Sequence, residues 1–135
     1  MVFKRRKGVA IVDTSKGILV VSGRKKIFAL PGGGANKGES REKATIRELC
    51  EETGLKTQKA KYFFSYKGHK WKTHKGRTII NYVKVFLIKT KGIAKPKHEI
   101  KHIAYYNSTS KIKISDRTEK IIKSYLEMKQ NGKLF

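Results

Sequence analysis

Half of the acids in this 135-residue chain fall inside one glycine-framed segment, Gly33 to Leu55. The chain carries 33 Lys and Arg against 10 Asp and Glu, for a net charge of +23. Glu39, Glu42, Glu48, Glu51 and Glu52 nevertheless sit together here. Pro31 and the run Gly32-Gly33-Gly34 predict a loop. Ser40 is a good helix N-cap, Glu42 places an acid in the first turn, and Gly54 is a natural stop. Within the predicted helix, Ile46, Leu49, Cys50 and Thr53 recur at three- and four-residue spacing and read as a core face. Cys50 is then a buried, inert thiol, and as the single cysteine it forms no intramolecular disulfide. Glu48, Glu51 and Glu52 share the other side at i, i+3 and i+4. Stacked carboxylates repel one another, and a hard divalent cation such as Mg²⁺ or Mn²⁺ relieves that repulsion. A solvated face with ion pairs is the plainer alternative, but Lys43 and Arg47 are outnumbered there.

Gly33, Glu39, Arg47, Glu48, Leu49, Glu51, Glu52, Gly54 and Leu55 stand at the spacing Gly-x5-Glu-x7-Arg-Glu-U-x-Glu-Glu-x-Gly-U, with U a bulky aliphatic. This resembles the Nudix box at every specified position. The lead-in Leu30-Pro31-Gly32 is similar to the family as well.

The resemblance implies an α/β fold, a Nudix-type α/β/α sandwich with a mixed sheet between helices. It implies a divalent-metal-dependent pyrophosphohydrolase of nucleoside diphosphate derivatives. By that resemblance Glu48, Glu51 and Glu52 coordinate Mg²⁺ or Mn²⁺, with a backbone carbonyl near Gly32 joining them. Arg47 orients a catalytic carboxylate and Glu39 braces Arg47. Glu52 and Glu99 are both candidates for the general base, Glu99 because the family often places a carboxylate shortly before a strand bearing an aromatic, here Tyr105. Phe28, just ahead of the lead-in, is a substrate-side candidate whose alternative is core packing. Homodimerisation is open to such chains, with no interface indicated.

The length suits one domain, residues 1–135, with no repeat, linker or low-complexity segment. No stretch of about 18 apolar residues predicts a membrane helix, and the apolar run after Lys4-Arg5-Arg6-Lys7 is too short for a signal-peptide core, so a cytoplasmic protein is expected. The net charge favours encounter with polyanions, and diffuse solvated lysine is its alternative reading. Val9–Asp13 and Ile18–Ser22 read as a hairpin, Lys56 to Lys61 as a basic link, and Tyr62 to Tyr66 as a strand. The loop Lys67 to Arg77 interleaves lysines with His69, Trp71 and His74. Trp71 there is a candidate for stacking on a base and Lys67 for holding phosphate. Thr78 to Thr90 is apolar on both sides and predicts a central strand. Lys89 to Lys97 reads as a loop, Ile100 to Tyr106 as a strand, and Asp116 to Lys129 as a Ser115-capped helix. The expected substrate is a small nucleotide, first a nucleoside triphosphate such as an oxidised or damaged one. The alternatives are an RNA 5′ end, cap or dinucleoside polyphosphate, and a non-catalytic RNA-binding module on this fold.

Overall fold

The structure, a computed structural model, describes residues 2–132. Its strands in chain order are β1 (Val2–Ile11), β2 (Asp13–Thr14), β3 (Gly17–Ser22), β4 (Ile27–Phe28), β5 (Gly32–Gly34), β6 (Lys56–Lys67), β7 (Trp71–Lys72), β8 (Thr78–Lys91), β9 (His102–Tyr106) and β10 (Lys113–Ile114). The helices are α1 (Arg41–Thr53) and α2 (Asp116–Gln130). A mixed sheet runs β5-β1-β8-β6, with β7 also paired to β8. Here β1 is parallel to β8 from Val2↔Thr78 to Ile11↔Leu87, while β5, β6 and β7 run antiparallel to their neighbours. A second sheet, β2-β3-β9, is antiparallel, and β4 pairs with β10.

The alternation expected for β8 is present, and it divides the core. Val83, Val85 and Leu87 point to one side, where they meet Val9, Ile11, Leu30 and the α2 residues Ile121, Ile122 and Tyr125. Phe86 and Ile88 point to the other, with Ala10, Val12 and Leu49 of α1. The sheets therefore lie between the two helices. Fully burying each large aliphatic side chain stabilises by about 1.5–3 kcal/mol, so α2 is held mainly by its apolar stripe. Within that stripe Leu126 remains exposed.

Several boundaries differ from expectation, for related reasons. The first strand begins at Val2 rather than Val9, because β8 offers a backbone partner to every residue of the basic run Lys4 to Lys7. The expected hairpin survives only at its tip. The chain leaves the first sheet at Ile11, and Asp13 and Thr14 pair with Ile18 and Gly17 in the second. Lys56 to Lys61 is the start of β6, paired with β8 up to Lys91, so β8 also extends past Thr90. Gly32 to Gly34 forms edge strand β5 on β1. Backbone pairing is indifferent to the charge on the side chains, so charge conceals these strands. Among the described residues, no helix is long and apolar enough to cross a membrane.

Candidate active site

Helix α1 begins where Ser40 Oγ accepts from the Lys43 N–H at 3.0 Å. It ends at Gly54, whose φ of 77° is the left-handed conformation that glycine adopts readily. Its buried face is Ala44, Thr45, Leu49, Glu52 and Thr53. This corrects the expected apolar stripe, because Cys50 is exposed and Glu52 takes an inward place. The docked helix is rotated relative to its most apolar stripe. The two buried threonine hydroxyls donate to carbonyls one turn back, Thr45 to Arg41 and Thr53 to Leu49.

Glu52 is 6% exposed, and its Oε1 accepts the Gly32 N–H at 2.9 Å. Burial pushes its carboxyl up to about 7, against the pull of the Gly32 bond and Lys7; Glu48 and Glu99 push it further. Glu48, Glu52 and Glu99 each bring a carboxylate oxygen within 4.8 Å of the others. Glu99 reaches the group from a distant segment. The Lys95 and Lys97 N–H groups donate to the Thr53 and Glu52 carbonyls at the end of α1, and Ile100 anchors the segment in the core. Gly33 lies against Glu48: a Cβ there would come within 2.6 Å of the Glu48 carboxyl carbon, which accounts for glycine at this place. Three carboxylate oxygens this close together suit a hard divalent cation.

Arg47 makes the loop rigid. Its Nε and Nη2 donate to both Glu39 carboxylate oxygens at 2.9 and 3.0 Å, Nη2 also to the Gly34 carbonyl, and Nη1 to Glu48 at 3.0 Å. Glu39 is held down to about 2, first by Arg47 and then by the Asn36 N–H, and Arg47 is held above its ordinary range by Glu39. Glu51 accepts from Arg47 at 3.3 Å but lies exposed, outside the three-carboxylate group.

Two side chains without any motif complete the surroundings. Lys7 on β1 points to the α2 side. Burial and Arg5 hold its ammonium below its ordinary range, while Glu52 and Glu48 draw it back up. Lys7 also lines a cleft of about 240 Å³ with Tyr66, Gly68, His69, Asn81, Val83 and Arg117. The Arg117 guanidinium lies 4.4 Å from the Tyr66 ring centroid, and the Asn81 Oδ1 is buried without a hydrogen-bond partner. An acidic helix face beside a glycine loop, a bracing Arg-Glu pair and an adjoining cationic cleft form a coherent catalytic layout.

The NUDIX domain family model matches residues 3–124. The chain belongs to the Nudix family. An ADP-ribose pyrophosphatase from Methanocaldococcus jannaschii is 32% identical over 127 residues, covering 90% of this chain and 72% of the relative. A crystal structure described as a nudix hydrolase family member from Chromobacterium violaceum superposes with a TM-score of 0.76 at 34% identity, over 92% of this chain and 77% of that one. The fold also matches a bifunctional NMN adenylyltransferase/ADP ribose pyrophosphatase from Francisella tularensis complexed with AMP and a Mn ion. That match has a TM-score of 0.64 at 23% identity, over 92% of this chain and 41% of that one. This Nudix chain is thus a hydrolase of a family that acts on pyrophosphate bonds.

The remaining sequence candidates scatter. Phe28 is buried in the α2-side core and packs there. Lys67 is exposed at the end of β6, paired with Tyr82. Trp71 is 41% exposed on β7, outside the residues lining the cleft. Tyr105 lines a separate cavity of about 190 Å³ with Val12, Lys16 and Leu55, where no carboxylate of the cluster enters. Lys7, Tyr66, Asn81 and Arg117 were not singled out by sequence. The only signal they carried was strand alternation, which puts Lys7 and Val83 on one face.

Proposed function

We propose that this Nudix chain is a divalent-metal-dependent pyrophosphohydrolase of nucleoside triphosphates, oxidised or damaged ones included. The carrying observation is the juxtaposition of Glu48, Glu52 and Glu99 with the cationic cleft of Lys7 and Arg117. Glu48, Glu52 and Glu99 would hold Mg²⁺ or Mn²⁺, with Glu51 and the Gly32 backbone as further ligand candidates. When bound, the ion neutralises phosphate charge and lowers the pKa of a coordinated water.

The protein's own groups account for the rest. Glu52 is the first candidate to accept a proton from water, and the Gly32 N–H fixes one of its oxygens. Glu99 is the second candidate for that task, and it is exposed. Arg47 and Glu39 keep the glycine loop and Glu48 in register, as positioning residues. Lys7 faces the cleft where a polyphosphate would lie, and its charge favours an anion there. The Tyr66–Arg117 pair offers a stacking surface for a base.

Hydrolysis of ADP-ribose is the second reading, favoured by the M. jannaschii relative. Purified protein with Mg²⁺ would be assayed against ordinary and oxidised nucleoside triphosphates, ADP-ribose, nucleotide sugars and dinucleoside polyphosphates. The highest kcat/KM is expected for a nucleoside triphosphate, with a monophosphate as product. A higher value for ADP-ribose would install the second reading, and no turnover of any of them would overturn both.

A further inference from the structure

Beyond the cleft, the sheet continues outward as a cationic and aromatic ramp. On the α2 side of β1, β8 and β7, side chains fall in rows set by the register. Lys7 and Val83 form the row at the cleft, Arg5 and Asn81 the next, and Phe3, Ile79 and Trp71 the outermost. Successive rows are about 6.6 Å apart, two residues of strand. Phe3 and Trp71 are each 41% exposed. The Arg77 guanidinium lies 5.1 Å from the Phe3 ring centroid. Arg5 lies against Gly34 at the sheet edge. No acid occurs in the sequence between Glu52 and Glu99, or before Asp13, so the strands building the ramp carry none.

We propose that this ramp binds single-stranded RNA, with the 5′-terminal phosphates directed into the cleft at Lys7. The proposal rests on the pyrophosphohydrolase reading of that site and extends it to a longer substrate or ligand. Cations at stepped intervals match a phosphate backbone, and exposed rings match unstacked bases. Asn81 in the middle row lines the cleft, and a side-chain amide there suits a ribose 2′-hydroxyl, which DNA lacks. The ramp also joins the cleft directly, since Asn81 belongs to both.

The test is fluorescence anisotropy of 5′-triphosphorylated single-stranded RNA in EDTA, so that no turnover intervenes. Comparison strands are DNA of the same sequence and double-stranded RNA. Wild type should bind the single-stranded RNA tightest, with a steep salt dependence. Trp71→Ala should weaken RNA binding roughly tenfold and Trp71→Phe should restore most of it, the size expected for one stacked base. Arg77→Gln and Arg5→Gln should each flatten the log–log salt slope by about 0.7. Phe3→Ala should weaken RNA binding while leaving mononucleotide hydrolysis at wild-type level, which also reports on folding. DNA or duplex bound as tightly as single-stranded RNA would overturn the proposal, as would unchanged RNA affinity in folded Trp71→Ala and Phe3→Ala. Failure of the site reading looks different: no nucleotide is hydrolysed, whatever the ramp variants do to RNA binding.

Discussion

The two helices begin alike and end up with different work. Both are capped by a serine whose Oγ accepts from the third residue on, Ser40 from Lys43 and Ser115 from Thr118. Both have acids in the first turn, and they differ in length by only two residues. Inward, however, α2 presents Thr118, Ile121, Ile122 and Tyr125, while α1 presents Ala44, Thr45, Leu49, Glu52 and Thr53. One helix buries greasy surface. The other buries a carboxylate at a charging cost and holds it against a backbone N–H. Local helix chemistry is thus shared, and what divides support from catalysis is the face turned inward.

If that contrast is right, changes on α1 should strike rate and changes on α2 should strike stability. Glu52→Gln should lower kcat by at least about a hundredfold, the scale of lost acid–base or electrostatic assistance. Circular dichroism should show an intact fold, because the amide is isosteric and can still accept from Gly32. Near-native turnover would remove Glu52 from the chemistry. Ile121→Ala should destabilise by about 2–4 kcal/mol in urea unfolding, by lost burial plus a cavity. The kcat of the folded fraction should stay near wild type, and a large loss of kcat there would blur the division.

The pH dependence sharpens the contrast further. Glu52 has a folded pKa raised to about 7 from 4.5. Between those values the native state binds more protons than the unfolded one, so stability falls as pH rises through this window. Metal-free protein should lose about 3 kcal/mol between pH 4.5 and 7.5 from this group, and Glu52→Gln should abolish that slope. Glu39 has the opposite sign: its pKa is depressed to about 2, so its contribution is present above pH 4.5 and lost as pH falls toward 2. An unchanged slope in Glu52→Gln would mean that the buried carboxylate is not the strained group. The smallest effect is expected at the caps. Ser40→Ala and Ser115→Ala should each cost about 1 kcal/mol in thermal or urea unfolding. Equal losses would confirm that the helices start by the same means.

The sequence by itself determined what local rules govern. Residue spacing alone identified the box, the serine caps, the Gly54 stop, the double-sided alternation of β8 and the helix from Asp116, because capping and periodicity act within one turn or one strand. It also pointed to Glu99, though only through resemblance. Tertiary structure decided what depends on how elements dock. A helix can be rotated by a fraction of a turn without changing its periodicity, so exposed Cys50 and buried Glu52 were beyond the reach of spacing. The strands of Lys4 to Lys7 and Lys56 to Lys61 are fixed by backbone pairing with β8, to which lysine side chains are silent. The cluster of Glu48, Glu52 and Glu99, and the cleft of Lys7, Asn81 and Arg117, exist only because segments far apart in sequence close on one another. No window of sequence contains that contact, and it is there that the charge of the chain becomes a site.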